Sequence, residues 1–525
     1  MRSRDCSPTI GEQTLRASRS NGVLVPKPTK YLADRQVMLG LAAMTAIALL
    51  AALWATRGAN PLRGDSYEYL YFDASRSVGY PAFLALIRLL TGQVALAAPV
   101  QTFLLAGSLL ILGWRFHKLC GRAAWSFAFL AVVLSLVVMW YDAAFLMTEA
   151  LSTALVAIWC ALLLGLIGTP PSLRGAALLV AVSGLATMVR PSLVTLFVGT
   201  AIFLWVAPPP RARGRALMMA GAGLILAWGA TPIAQLLIHG SARTTSPIAR
   251  GVLQHTLYCS TGTVPSDADS LFVEQSAAPV RRYLETVPPD LQIQLRRSYS
   301  TLLRFALIIP VLGRRHHLNR RSEVDPYLSR IASERVEANP SCYVRSVVGE
   351  YVRMATFGSD PTKEDAHRFN EFMDAHPPVA VVQYPRLPGD ERLVRQAASD
   401  VHNRFARQPE PQNLKIVAKT PFLAILPIRL LFSTAALIGL AALLVLPLRK
   451  RLAPKLQQIM PVTTAMAIAF HGTLAITAII EIGFFRYLVP IWPIVCTMCA
   501  VALVGASGSL AVRSTTDFDR RRLPR

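Results

Sequence analysis

Charge is what this chain has least of. Only 16% of its 525 residues are Asp, Glu, Lys or Arg, where a soluble domain carries about 25%. With 53% hydrophobic residues, that excludes an ordinary soluble protein. Acids are scarcer than bases, 30 against 54. A net charge of +24 could suit a nucleic-acid binder, but the bases lie in tails and in short loops between apolar runs. That is the positive-inside pattern, and such segments also attract anionic lipid headgroups. Cysteine is sparse, with 7 in all. Cys496 and Cys499 form a CxxC within an apolar run, with no second CxxC and no histidine beside it, so they read as small buried hydrophobes rather than zinc ligands. A cleavable signal peptide is also missing, since residues 1–36 are polar and basic. So is any internal repeat, which weighs against a repeat-built transporter.

What is present is a series of apolar runs long enough to cross a bilayer, which takes about 20 residues. The expected fold is an all-α polytopic membrane protein of about ten spans: 37–55, 94–114, 124–141, 144–167, two short spans within 174–207, then 215–238, 421–447, 461–480 and 488–511. The tract 174–207 would be about 50 Å long as one helix, too long for one crossing. It is therefore split at Arg190-Pro191, which also keeps Arg211, Arg213 and Arg215 inside. The domains follow: a basic cytoplasmic tail 1–36, a membrane region 37–239 with its first outer loop at 56–93, a mostly helical extracytoplasmic domain 240–420, a second membrane region 421–512, and a tail 513–525. Gly79 to Leu90 is apolar but only about 18 Å long as a helix, so it reads as a helix lying in the outer interface. Asn339-Pro340 reads as the cap and first residue of a helix. Tyr299 to Gly313 reads as a core or interface-dipping helix. Cys259 and Cys342 are the only cysteines of the outer domain, and an oxidising compartment would let them pair.

The chain is organised around 64–81, GDSYEYLYFDASRSVGYP. It holds Asp65, Glu68, Asp73, Arg76 and the tyrosines 67, 69, 71 and 80, beside a span in a protein otherwise poor in acids. Ionisable groups at a membrane are functional candidates, and a solvated loop with interfacial tyrosines is the plain alternative. Setting aside the tails and the outer domain, the acids are Asp65, Glu68, Asp73, Asp142, Glu149 and Glu481. In this topology all fall on the outer face, with Arg76, Arg190 and Arg486. Carboxylates and arginines gathered on one face suit an anionic headgroup, since the guanidinium fork donates two parallel hydrogen bonds to phosphate. Ion pairs that simply hold short helices together are the competing reading.

These pieces resemble the GT-C superfamily of membrane glycosyltransferases, and within it bacterial proteins similar to protein mannosyltransferases and lipid A aminoarabinose transferases. The likeness rests on Asp65-Ser66 with Tyr69, on Arg76 followed by Gly79-Tyr80-Pro81, on Thr148-Glu149 opening an apolar helix, on Arg190-Pro191 interrupting one, and on Arg486-Tyr487 before Pro490 and Pro493. It covers about 40–240 and 425–510. It implies an inverting hexosyl or pentosyl transfer from a polyprenyl-phosphate sugar to an extracytoplasmic glycan, lipid or protein, at the outer face of a bacterial inner membrane. Asp65 would be the catalytic base. Tyr69, Arg76, Tyr80, Glu149, Arg190, Arg486 and Tyr487 would bind substrate, with Arg486 on the donor phosphate. Val78 stands where the family usually has proline. The outer domain lies between the seventh and eighth spans rather than at the C-terminal end, which leaves the acceptor open.

The residues suit the chemistry on their own terms. An acceptor hydroxyl attacking an anomeric carbon needs one base, and a departing phosphate needs cations. Asp65, Glu68 and Asp73 could ligate a divalent metal, though the chemistry does not require one. No other cofactor is implied. Two alternatives compete: an O-antigen ligase or polymerase, expected to use Arg and His of its large loop, and a transporter or flippase. His471 reads as a hydrogen-bonded core histidine, His316-His317 as a solvated basic face.

Overall fold

The computed structural model describes residues 28–57, 61–62, 66–70, 72, 76–169, 171–207, 210–240, 247–260, 262, 267–286, 292, 308–318, 321–356, 425–480 and 487–507. Among these residues the protein is helical, with no strand. Two bodies of helix are joined at one end of a membrane bundle.

The bundle begins with α1 (Pro28–Ala55). The short α2 (Ser66–Leu70) and α3 (Gly79–Thr91) form its first loop. Then come α4 (Ala97–Cys120), α5 (Ala123–Leu134), α6 (Val137–Asp142), α7 (Thr148–Gly165), α8 (Leu173–Val189), α9 (Thr195–Val206) and α10 (Pro210–His239). The second body comprises α11 (Pro247–Thr256), α12 (Ala268–Glu285), α13 (Ile309–Arg315), α14 (Asp325–Ala338) and α15 (Pro340–Ala355). The chain returns to the bundle with α16 (Ile425–Val445), α17 (Pro454–Ile480) and α18 (Trp492–Ala506).

Among the described residues, seven helical stretches are long and apolar enough to cross a membrane: Leu32–Ala55, Val94–Cys120, Thr148–Gly165, Arg213–Ile238, Pro427–Arg451, Pro454–Ile480 and Val489–Ala506. The other three expected spans fall on shorter apolar helices, Ala123–Leu134, Leu173–Val189 and Pro191–Val206. The expected helix over 124–141 is in fact broken. Leu136 is non-helical, and the bend is held by the Trp140 indole N–H donating to the Leu134 carbonyl at 3.0 Å and by the Ser135 hydroxyl donating to Val132.

The split at Arg190 is real. Proline disfavours helix in the residue before it, and Arg190 is extended (φ −145°, ψ 108°). The two helices then lie side by side, because Ser183 and Thr200, on either side of the turn, are 3.0 Å apart through their hydroxyls. The Trp159 indole donates to the same Thr200 at 2.9 Å, so the hairpin is anchored on α7. Large buried side chains, among them Trp159, Trp492, Phe203, Phe432 and Phe470, fill the bundle core.

The two ends of the bundle differ in chemistry. At one end Lys118 and His117 meet Asp34, Arg115 lies over Gly165, and Arg449 donates to the Val206 carbonyl at 2.9 Å. The opposite end carries the first loop, the 143–147 turn and the Arg190 turn.

The second body attaches at that opposite end. Gly251 of α11 lies directly against the Ile480 carbonyl, at the close of α17, and has no room for a Cβ. It has its own core, including Leu253, Leu257, Phe272, Val280, Leu312, Leu328 and Ile331. Ile308 to Gly313, the described part of 299–313, is buried in that body, as a core helix would be. Charge is used here as internal glue. Arg250 grips Asp325 through two hydrogen bonds of 2.7 and 3.0 Å. Arg335 bonds Glu274 and the Thr256 and Cys259 carbonyls. The hydrogen bond from Arg330 pulls the Asp267 carboxyl down to about 2. His316 and Arg315 both bind the buried Asp269, at 2.8 and 2.7 Å, while Arg314 and His317 stay exposed, so within the solvated basic face that the sequence suggests His316 is turned inward. Asn339 caps α15, accepting from the Cys342 N–H, and Cys259 and Cys342 form a disulfide.

Candidate functional site

The candidate site grows from the first loop, where α3 packs across the start of the Arg190 turn. A Cβ on Gly79 would sit 2.6 Å from the Met188 carbonyl oxygen, so glycine lets the loop touch α8. The contact is sealed by the Ser77 hydroxyl donating to the Val189 carbonyl at 3.1 Å and by the Val78 N–H donating to Thr231 at 3.3 Å. The first half of the GYP motif is thus a spacer-free dock.

Tyr80 is fully buried. Its hydroxyl donates to Gln101 Oε1 at 2.9 Å, and Gln101 Nε2 in turn donates to the carbonyls of Ala143, at 2.9 Å, and Phe145. The Leu146 N–H closes the circle by donating to the Pro61 carbonyl at 2.9 Å. One buried amide therefore ties three segments: the loop, α4 and the turn before α7. Burial, with Tyr69 and Glu149 nearby, pushes the Tyr80 hydroxyl well above its ordinary value, so it stays a neutral donor.

Tyr69, on α2, meets Tyr80 edge-on at 5.1 Å, a favoured aromatic geometry. Arg76 lies over the Tyr69 ring at 4.7 Å and donates to its hydroxyl at 3.2 Å. The Arg76 guanidinium also donates to Glu68, Nε to Oε2 at 2.8 Å and Nη2 to the same oxygen at 2.6 Å. Both partners stay about one-quarter exposed, so the pair borders the surface above the buried tyrosines.

Glu149 opens α7, where a carboxylate suits the positive end of the helix, and it is buried. Its Oε1 lies 3.5 Å from Nη1 of Arg190. The Arg190 guanidinium sits over the Tyr487 ring at 4.7 Å. Asp142 is buried at the same turn. The described acids of the expected outer set, Glu68, Asp142 and Glu149, thus all lie at this end. Asp65, Asp73, Glu481 and Arg486 lie outside the described residues. Their chain neighbours Ser66, fully buried, and Tyr487 border the assembly.

Of the eight residues picked from the sequence, the structure gathers Tyr69, Arg76 and Tyr80 in one cluster and Glu149, Arg190 and Tyr487 in another. The clusters are joined by the Ser77–Val189 contact and by the influence of Glu149 on Tyr80. Sequence reasoning missed Gln101, whose signal is a lone amide in the first turns of an apolar helix, and it missed the Glu68–Arg76 pair, which is local and readable at a spacing of eight. His471, also picked out, lies elsewhere: its Nδ1 is 2.6 Å from the Tyr351 hydroxyl, as a hydrogen-bonded core histidine would be.

Compared with known proteins, the chain matches no family model, no curated protein and no solved structure.

Proposed function

We propose that this protein is a multi-pass membrane glycosyltransferase of GT-C type in a bacterial inner membrane. It would move a sugar from a polyprenyl-phosphate donor to an extracytoplasmic glycan, lipid or protein, with inversion. The observation that carries this reading is the convergence of five short motifs, drawn from four separate stretches of the sequence, on one end of the bundle: SYEYL with Arg76, GYP, Thr148-Glu149, Arg190-Pro191 and Tyr487. A fold held together merely by ion pairs would not need all five at one end.

In this scheme the acceptor hydroxyl attacks the anomeric carbon from the face opposite the phosphate. Asp65 takes the hydroxyl proton as the new C–O bond forms, and the bond to the phosphate oxygen breaks with its electron pair leaving on the polyprenyl phosphate. Arg486 and Arg190 supply positive charge toward the leaving phosphate. Glu149 holds Arg190 in place, and Tyr487 supports it from below. Arg76, partly exposed above the buried Tyr69 ring, would meet the sugar.

The test is chemical. Lipid-linked sugars and envelope glycans are compared by mass spectrometry between wild-type cells, deletion cells and deletion cells carrying Asp65→Asn. The reading requires one lipid-linked sugar to accumulate and one glycan modification to vanish in both altered strains. Unchanged profiles in both strains would remove it, and a transported, unmodified lipid as the only difference would favour a flippase.

A further inference from the structure

Helix α15 closes the second body, yet it does not stop at the membrane surface. Its start is pinned by the Cys259–Cys342 disulfide, and its Ser346 hydroxyl bonds His255 at 2.9 Å. Its far end goes much deeper. Tyr351 bonds His471, nine residues below Ile480 on α17, or about 13 Å along that helix. The stretch Pro454–Ile480 is about 40 Å long and the hydrocarbon core about 30 Å, so centring one on the other leaves Tyr351 about 8 Å inside the core. Met354 and Ala355 are buried in the bundle core itself.

The two faces of α15 fit that depth. Val347 and Tyr351 pack on the bundle. Glu350 and Arg353 are both buried and paired with each other, as charges at membrane depth must be. The opposite face carries Val344, Val348 and Val352, each more than half exposed, with the exposed Arg345 beside Val344 toward the outer end of the helix. Facing water, such a stripe would be costly. Here α15 packs beside α16, whose Leu430, Leu437 and Leu444 are the exposed apolar surface of a spanning helix. The valine stripe continues that surface.

We infer that α15 is a re-entrant helix of the outer leaflet, its Val344–Val348–Val352 face in contact with lipid acyl chains. The second body is then not a soluble cap on a stalk. It is wedged into the bilayer by one helix, with the Glu350–Arg353 pair turned to the protein and the exposed Arg345 about 9 Å nearer the outer surface than Tyr351, at the level of the headgroups. The inference does not depend on the transfer chemistry.

Photo-crosslinking tests it in the full-length protein. Benzoylphenylalanine is placed at Val348, and separately at Val352, with Leu437 and Glu337 as references. Both valines are exposed, so the larger ring disturbs no packing. In vesicles of phosphatidylethanolamine and phosphatidylglycerol, phospholipid adducts at both positions should match those at Leu437 and exceed those at Glu337 at least about tenfold. Yields at the Glu337 level, or adducts to protein peptides in place of lipid, would overturn it.

Discussion

The two ends of the bundle are built from opposite materials. At the Lys118 end the contacts lie nearer water or on carbonyl oxygens: Lys118, nearly half exposed, reaches Asp34 and the Trp114 ring, His117 meets the same partly exposed Asp34, and Arg449 bonds the Val206 backbone. At the Arg190 end cations and carboxylates are paired, stacked on tyrosines and drawn into the protein: Arg190 on Glu149 and Tyr487, Arg76 on Glu68 and Tyr69. Charges placed only to orient a chain in a membrane need no specific partner. Charges taken out of water need one, and at a membrane they are candidates for binding or moving something, although in the second body they serve as glue. On the proposed reading, the contrast sets an orienting end against a working end.

The largest effect expected is all-or-none. If the Arg190 end is extracytoplasmic, a reporter active only outside the cytoplasm should work when fused near Pro361 and be silent when fused at Arg213. The disulfide in the body attached at that end agrees with an oxidising compartment. The reverse reporter pattern would put the candidate site inside the cell and end the reading.

Next in size is the base. Asp65→Asn keeps the shape and removes the proton acceptor, so turnover should fall roughly 10²- to 10⁴-fold while donor binding holds. Arg486→Ala should weaken donor binding instead, since a charge-assisted contact to phosphate is lost. Transfer assays with purified protein separate the two. An active Asp65→Asn beside a dead Asp73→Asn would move the base to Asp73.

How much of this was readable beforehand follows the range of the forces. Local signals held: Asn339-Pro340 opens a helix, and Arg190-Pro191 ends one, because a cap and a proline act within a few residues. Glu68, Asp142 and Glu149 do share one end of the bundle, as the expected alternation of spans requires. The break at Leu136 was not legible, for it has no proline or glycine and depends on where the Trp140 indole finds a carbonyl. Nor was the role of Gln101, which exists only once α4 meets the 143–147 turn. The span count stayed open for a physical reason as well: helices of 12 and 17 residues are shorter than a bilayer crossing, and composition cannot say whether they reach across.

A third test measures the contrast as stability. Glu149→Ala takes the carboxylate from Arg190, whose remaining contact is the Tyr487 ring face. A buried cation stripped of its partner costs about 3–5 kcal/mol, which a thermal melt in detergent would register as a clear fall. Glu149→Ala with Arg190→Ala should recover part of that loss, because no uncompensated charge stays buried. A double variant as damaged as the sum of the two singles would mean the residues do not act as a pair.

The smallest effect belongs to the other end. Lys118 is nearly half exposed and touches Asp34 and Trp114. An exposed ion pair is worth about 0–1 kcal/mol, and an exposed cation over a ring adds about 0.5–1 kcal/mol at most. Water re-solvates Asp34 when the ammonium goes, since that carboxylate is itself more than one-quarter exposed. Lys118→Ala should therefore shift the melt only slightly and leave transfer unchanged. Raising the salt concentration should shrink even that shift, because exposed charges are screened, while the Glu149→Ala loss should hardly respond. If Lys118→Ala proved as costly as Glu149→Ala and as indifferent to salt, the Lys118–Asp34 pair would be behaving as a buried one. The distinction between an orienting end and a working end would then fail on energetic grounds.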